Sequence, residues 1–146
     1  MNELRKQRAE RFRNTGLYLV IGHEFTNGRS VLDVLAAAAD GGVRTVQLRE
    51  KNLSGRELTL LAEKFRRKCD ELGVLMLMND HVDIALAVGA DGVHLGQDDM
   101  PLEAARRIAP ELILGRSTHS VEQALEAQAQ GADYVNLGPV FPTRTK

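Results

Sequence analysis

The chain has 146 residues, and its 19 basic and 20 acidic side chains give a formal net charge of −1. This balance argues against a nucleic-acid-binding protein, which usually shows a basic excess or stripe, and no apolar stretch approaches the roughly 20 residues of a membrane span. A single cysteine, Cys69, forms no internal disulfide, which favours a reducing compartment, most simply the cytoplasm.

The first fourteen residues differ in composition from the rest of the chain. Five cations, with Glu3 and Glu10 between them, fall in this stretch: Arg5, Lys6, Arg8, Arg11 and Arg13. No apolar segment of a secretory signal follows them. We therefore predict that residues 1–14 form a solvated helical extension and that residues 15–146 form the main domain.

From residue 17 onward, short apolar runs alternate with helical patterns. We predict strands at 17–21, 43–48, 74–78, 90–95, 112–115 and 133–137, with helices at 30–40, 54–73, 81–88, from 101 and at 120–130. Ser54 with Glu57 and Ser120 with Gln123 have the spacing of capping boxes, and Pro101 is expected at a first helical position. Strands alternating with helices predict a parallel sheet.

The polar clusters of the chain follow the predicted strands, at the edge of the sheet where α/β barrels and doubly wound folds place their active sites. No G-x-G-x-x-G motif follows the first strand, which weakens a dinucleotide-binding hypothesis. A closed (β/α)₈ barrel needs two strands more than the six predicted here, and an open edge leaves backbone groups unpaired. We therefore expect that Lys146 is not the natural end of the protein.

Gln47, Arg49 and Lys51 share one face of the second strand, because side chains alternate along a strand. Two cations and an amide at a strand end form a natural grip for a diphosphate. The alternative is an exposed loop whose charges pair with Glu50 and Asp40. The three residues alone do not decide between these hypotheses.

Asn79 and Asp80 follow the third strand, and Asp98 and Asp99 follow the fourth. Each pair taken alone is explained by helix capping, for which Asn and Asp are favoured. Together they bring carboxylates to neighbouring strand ends. Since Mg²⁺ prefers one or two carboxylates plus phosphate oxygens of a substrate, the two pairs beside a cationic strand end indicate a metal–diphosphate site.

Three polar residues near the fifth strand have more than one interpretation. Ser117 can hydrogen-bond a ligand, and His119 is either a proton carrier or a polar loop residue, whereas His94 is expected to be a hydrogen-bonded core histidine. The segment 138–146 contains two prolines and is either a phosphate-facing loop or a disordered tail. Its candidate ligand-binding residues are Thr143, Arg144, Thr145 and Lys146.

Five stretches, taken in order, resemble the thiamine-phosphate synthase family. They are VQLREK at 46–51, NDHVD at 79–83, ADGVHLGQDD at 90–99, GRSTHS at 115–120 and GPVFPTRTK at 138–146. The resemblance implies a TIM barrel, of which about six βα units are present, and a reaction in which a thiazole nitrogen displaces diphosphate from the methylene carbon of a pyrimidine.

The resemblance also implies a role for each matching residue. Gln47, Arg49, Lys51, Asn79 and Ser117 are expected to hold the pyrimidine substrate and its diphosphate. Asp80 and Asp99 match Mg²⁺ positions. Thr143 and Thr145 match contacts to the thiazole phosphate, and Lys146 matches a diphosphate contact. No catalytic nucleophile or base is implied; Arg49, Lys51 and Lys146 stabilise the leaving group.

Two alternatives remain open. A related thiazole tautomerase shares the barrel and uses the histidine after the fifth strand, here His119, but the cation and carboxylate sets favour the synthase. The second alternative is a truncated barrel without activity. It would act as a binding protein or as a homo-oligomer paired through its open edge. Arg116 departs from the small apolar residue expected there and either has no role or adds a phosphate contact.

Overall fold

The structure, a computed structural model, describes residues 2–145, and a six-stranded parallel sheet forms its centre. The strands are β1 Tyr18–Ile21, β2 Thr45–Leu48, β3 Leu75–Asn79, β4 Gly92–Leu95, β5 Ile113–Thr118 and β6 Tyr134–Leu137. Their order in the sheet is the order in the chain, and every neighbouring pair is parallel. The predicted α/β class is confirmed, and the sheet forms part of a barrel.

Helices connect the strands and cover one side of the sheet. The α-helices are α1 Glu3–Arg13, α2 Val31–Asp40, α3 Gly55–Leu72, α4 Val82–Val88, α5 Leu102–Ile108 and α6 Val121–Ala129, and a 3₁₀ turn spans His23–Phe25. No helix within residues 2–145 has the length and apolar character needed to cross a membrane.

The local sequence signals are only partly right about where elements begin and end. Ser54 and Glu57 form the predicted capping box. Pro101 is the residue before α5 rather than its first residue, because its ψ of 140° is extended. Ser120 caps α6 as expected, but the Gln123 side chain accepts a hydrogen bond from the backbone N–H of His119 instead of completing the box.

The fifth strand extends three residues beyond its predicted end. Its last three residues are Arg116, Ser117 and Thr118, and they pair in register with β6. An apolar-run pattern misses them because they are polar, although the parallel ladder continues through them. Ser117 is therefore held by a strand rather than by a loop.

The helix-facing side of the sheet forms the main hydrophobic core. Val46, Leu48, Met76 and Met78 are fully buried there, and Phe65 of α3 is buried in the same cluster. Burying a side chain of this size contributes about 1.5–3 kcal/mol. Because the third strand is buried on both faces, it is apolar until Asn79, as strands of parallel sheets usually are.

The first helix lies under the amino ends of the strands and is held by two matching ion-pair clusters. Arg5 contacts Asp133 at 2.7 Å and Arg8 contacts Asp91 at 3.2 Å. Each aspartate also receives an arginine from a later helix and a backbone N–H from a strand: Arg66 and Met76 at Asp91, Arg106 and Leu114 at Asp133. The two Gly-Ala-Asp turns at 89–91 and 131–133 thus anchor α1 beneath the sheet.

Close packing of β4 against β5 depends on Gly92. An added Cβ there would overlap Cγ1 of Ile113 and lie 2.6 Å from the Ile113 carbonyl oxygen. We expect Gly92→Ala to lower the free energy of unfolding by about 1–3 kcal/mol, since overpacking forces backbone shifts, as measured by denaturant titration. Gly55→Ala is the control: Gly55 has open space around it at the first residue of α3. This variant should be neutral or gain up to about 1 kcal/mol, and equal effects of both changes would contradict the prediction.

Candidate active site

A cavity of about 350 Å³ opens at the carboxyl ends of the strands. Its lining comprises Val20, Ile21, Gly22, Phe25, Gln47, Arg49, His94, Asn136 and Thr145. Gln47 is 2 % exposed, and Arg49 is fixed by a backbone hydrogen bond of 2.8 Å to Ile21. The structure therefore brings two members of the predicted diphosphate grip, Gln47 and Arg49, to one cavity with Thr145.

The third member of the predicted grip, Lys51, joins the predicted metal residues instead of lining that cavity. Its Nζ lies 2.5 Å from Oδ2 of Asp80. Asp80 is hydrogen-bonded to Asp99, and Oδ2 of Asp99 accepts the N–H of Gly96 at 2.6 Å. The two carboxylates, 19 positions apart in the sequence, thus meet at the ends of β3 and β4 beside an ammonium group.

The backbone at Asp80 is strained. Its φ is 67°, and the N–H of His81 bonds the carbonyl of Asn79 at 2.8 Å. A positive φ with this hydrogen bond between residues two apart is the strained form of the γ-turn, and such conformations concentrate at functional sites. The turn aims the Asp80 carboxylate at Asp99 and Lys51.

The two carboxyl groups have opposite protonation tendencies. Burial opposes ionisation of Asp80, but hydrogen bonds from Lys51 and Asp99 outweigh it and lower the pKa of Asp80. Burial and then the hydrogen bond to Asp80 raise the pKa of Asp99, against the opposing N–H of Gly96. Two carboxyl groups in contact share a proton in this way when no cation lies between them.

The donor set fits a magnesium ion that relies on a substrate for further ligands. Among residues 2–145 no group of three or more His, Cys, Asp or Glu side chains forms a complete metal cage. Two carboxylates are what Mg²⁺ uses when phosphate oxygens and water supply the rest. Beside them, Asn79 is 7 % exposed and its Nδ2 has no hydrogen-bond partner in the described chain, so a buried donor is left for a ligand.

A second cavity, of about 340 Å³, adjoins the first. It is lined by Ser117, Thr118, His119, Asn136, Leu137, Gly138, Pro139, Thr143 and Thr145. Asn136 and Thr145 line both cavities, so the two spaces meet at these residues. The predicted residues Ser117, Thr143 and Thr145 are brought together here, whereas Lys146 lies outside the described residues.

His119 is oriented by its surroundings. Its Nδ1 lies 2.7 Å from the carbonyl oxygen of Gly138, and because a carbonyl only accepts, Nδ1 carries the hydrogen. The imidazole therefore contacts the loop that carries Thr143 and Thr145, at the edge of the second cavity.

The comparisons with known proteins show the family of the chain. A family model described as thiamine monophosphate synthase matches residues 17–146. The chain belongs to this family. The matched range contains every residue that the sequence pattern assigned to the diphosphate, metal and phosphate-loop sets.

Relatives in the thiamine monophosphate synthase family are longer than this chain. A thiamine-phosphate synthase of Shouchella clausii is 46 % identical over 131 residues, which cover 89 % of this chain and 63 % of the relative. One of Pyrococcus horikoshii is 52 % identical over 109 residues, covering 75 % and 53 %. The solved thiamine phosphate pyrophosphorylase of Pyrococcus furiosus has a TM-score of 0.81 at 42 % identity, covering 86 % and 61 %. The chain thus spans about half to three fifths of the length of these relatives.

Three residues around the candidate site were not singled out from the sequence. Tyr18, Tyr134 and Asn136 face the barrel interior, and the two tyrosines hydrogen-bond each other at 2.8 Å. The sequence contains a signal that could have indicated them. Tyr18 and Tyr134 are the only two tyrosines of the chain, and each is the first residue of a strand. The two-residue period of a strand also places Tyr134 on the same face as Asn136.

Two charged residues differ from the sequence hypotheses. Glu50 binds His23 at 2.7 Å through both its ring and its backbone N–H, rather than pairing with Arg49 or Lys51. Arg116 is opposite Leu95 in the register, on the helix-facing side of the sheet. One of its nitrogens donates to the carbonyl of Gln97 at 3.3 Å, so the phosphate contact considered for Arg116 is not favoured by its placement.

His94 is the hydrogen-bonded core histidine expected from the sequence, and Cys69 is a buried thiol. His94 is 3 % exposed, with both ring nitrogens hydrogen-bonded. Cys69 is fully buried, and this burial raises the pKa of its thiol to about 12, which keeps the side chain in its unreactive neutral form.

Proposed function

We propose that this protein couples a 4-amino-2-methyl-5-(diphosphooxymethyl)pyrimidine to a thiazole phosphate, giving thiamine phosphate and diphosphate. In this substitution the carbon–oxygen bond to the diphosphate breaks with its electron pair, and the thiazole nitrogen donates a pair to the same methylene carbon. The observation that carries the proposal is the contact of Lys51 with the Asp80–Asp99 pair, which joins a cation for diphosphate to a metal site, in a chain that belongs to this family.

The chemistry asks the protein chiefly to stabilise charge on the leaving group. Arg49, Lys51 and Lys146 are proposed to do so, because fixed cations act strongly where water is scarce. Gln47, Asn79 and Ser117 are proposed to hold the pyrimidine, and Thr143 and Thr145 the thiazole phosphate. The shared boundary of the two cavities at Asn136 and Thr145 supports a reaction between ligands held side by side.

Mg²⁺ is the proposed cofactor. Asp80 and Asp99 would hold it, and it would add positive charge against the departing diphosphate. Lys51 keeps the Asp80 carboxylate ionised before the ion binds, and the unpartnered Nδ2 of Asn79 is available to a ligand oxygen beside it.

The complete TIM barrel also belongs to this proposal. Within residues 2–145, β1 and β6 each have one neighbour in the sheet. Two further strands would pair with these two edges and close a (β/α)₈ barrel. The relatives are long enough to contain them. In this arrangement residues 1–14 are an extension of the domain 15–146, the partners are small molecules, and the protein acts in the cytoplasm. Pairing of the open edges into a homo-oligomer is the alternative to closure.

Calorimetric titration of the pyrimidine diphosphate, with and without Mg²⁺, tests the proposal. We expect Mg²⁺-dependent binding, since the carboxylates repel a diphosphate until a cation lies between them. No binding to a chain that circular dichroism shows to be folded would contradict it. In that event His119, which lines the second cavity, would make proton transfer on a thiazole the better hypothesis.

A further inference from the structure

A continuous line of hydrogen bonds crosses the barrel interior beneath the two cavities. Nε2 of Gln47 donates to the Tyr18 hydroxyl at 2.6 Å, and that hydroxyl lies 2.8 Å from the Tyr134 hydroxyl. The line continues to Nδ1 of His94 at 2.9 Å and ends with Nε2 of His94 at 2.8 Å from the Ser117 hydroxyl. The line joins two proposed pyrimidine contacts, Gln47 on β2 and Ser117 on β5. The three residues between them are Tyr18, Tyr134 and His94, which are not among the proposed contacts.

The direction of this line follows from the orientation of the Gln47 amide, whose Nε2 faces Tyr18, and from counting hydrogens. Tyr18 accepts from Gln47, so its own hydrogen needs an acceptor, and the structure offers it only Tyr134 among residues 2–145. Tyr134 must then donate to Nδ1 of His94, and the remaining hydrogen of a neutral His94 must be on Nε2, pointing at Ser117. In the opposite direction Tyr134 would donate to Tyr18, leaving a hydrogen of Tyr18 without an acceptor at a cost of about 1–3 kcal/mol.

The two phenols keep their hydrogens throughout the neutral range. Burial raises the pKa of Tyr18 to about 12, against lowering hydrogen bonds from Tyr134 and Gln47. Burial likewise raises the pKa of Tyr134 well above its usual value, with a further contribution from Tyr18. Each phenol therefore has one hydrogen to donate within the line.

The packing around the tyrosines fixes their positions. The Tyr134 ring crosses β5 at Gly115, where an added Cβ would overlap the ring and its hydroxyl. Phe12 of α1 stacks on Tyr134 with ring centroids 4.4 Å apart and meets Tyr18 edge-on at 5.4 Å. Because residue 115 is glycine, the Tyr134 ring can cross β5 and reach His94 on β4.

We propose that Tyr18, Tyr134 and His94 are positioning residues that set the polarity of the pyrimidine site. Because Nε2 of Gln47 donates to Tyr18, Oε1 of Gln47 remains to accept a hydrogen bond from a ligand. Because the Ser117 hydroxyl accepts from His94, the hydrogen of that hydroxyl remains to be donated to a ligand. The site then selects a ring that donates towards β2 and accepts from β5, as a 4-aminopyrimidine does with its amino group and ring nitrogen. A 4-oxopyrimidine presents the reverse order. The ligand class rests on the proposed function, but the polarity does not.

The polarity is tested without any ligand by nitrogen NMR of the ¹⁵N-histidine-labelled chain. The chain has four histidines, and the His94 signals are assigned by their loss in His94→Gln. We expect a neutral His94 with hydrogen on Nε2 and none on Nδ1, and Tyr134→Phe should shift it towards the other tautomer. Hydrogen found on Nδ1 in the unaltered chain would overturn the proposal.

The consequence for binding is tested with two probes, the pyrimidine diphosphate and inorganic diphosphate, each with Mg²⁺. Tyr134→Phe keeps the ring that stacks on Phe12 and should weaken the pyrimidine diphosphate about tenfold while leaving inorganic diphosphate unchanged. Gly115→Ala should act in the same direction, with Gly55→Ala as the matched control that changes neither.

The outcomes separate this proposal from the proposed function. Equal losses for both probes in Tyr134→Phe would show a general structural effect and count against a positioning role. If the unaltered chain binds neither probe, the proposed function fails, and the NMR result alone decides the polarity.

Discussion

Asp99→Asn is expected to remove Mg²⁺-dependent binding of the pyrimidine diphosphate, weakening it by about a hundredfold or more. Outer partners of metal ligands already change affinity by about 10–100-fold, and Asp99 would be a direct ligand. The amide keeps the size of the side chain and leaves Oδ1 able to accept, but removes the negative charge facing the ion. Calorimetry with and without Mg²⁺ measures the loss.

Asp98→Asn is the control for this prediction. Asp98 is exposed next to Asp99, on the same short turn, and it makes none of the contacts that join Asp99 to Asp80 and Gly96. Its neutralisation removes the same charge from the same loop. Equal losses in both variants would mean that general electrostatic attraction, and not coordination, accounts for the Mg²⁺ dependence.

Asp133→Asn is expected to lower the free energy of unfolding by about 3–5 kcal/mol, the cost of breaking a buried ion pair from one side. The Asp133 side chain is 8 % exposed and lies within 2.8 Å of the guanidinium groups of both Arg5 and Arg106. It also accepts the N–H of Leu114. An amide leaves two cations facing each other without their shared anion. Denaturant titration followed by circular dichroism measures the change.

Asp70→Asn provides the comparison. Asp70 also pairs with an arginine, Arg66, at 2.5 Å, but its side chain is 66 % exposed. An exposed pair contributes about 0–1 kcal/mol, so this variant should remain close to the unaltered chain. A similar small effect at Asp133 would show that α1 contributes little to holding the barrel together.

The strands of this protein were predictable because each contains a short apolar run bounded by turn residues. Asp80 and Asp99 could also be placed near each other, since parallel strands end at one edge of the sheet. Their hydrogen bond and the contact with Lys51 could not be derived, because both depend on the strained turn at Asp80. Residue type alone gives no sign of a positive φ at an aspartate that also suits a helix cap.

The line through Tyr18, Tyr134 and His94 could not be predicted for a different reason. Periodicity assigns each residue to a face of its own strand but does not say which side chains meet across the barrel. Tyr18 and Tyr134 are 116 positions apart, and their contact requires the curvature of the whole sheet and the absence of a side chain at Gly115, where the Tyr134 ring lies. The side of the sheet on which Arg116 lies could not be predicted either, because it depends on β5 continuing through this residue.

The anchoring of α1 has a consequence for the order in which the chain folds during synthesis. Arg8 can meet Asp91 once the turn at 89–91 has left the ribosome, but Arg5 precedes Asp133 by 128 positions. At about 5–20 residues per second, the second anchor therefore forms well after the first. Until both are available, α1 has no buried residue, and its charged surface gives a nascent chain little tendency to aggregate. Docking of α1 is thus completed only when the turn before the sixth strand has been made.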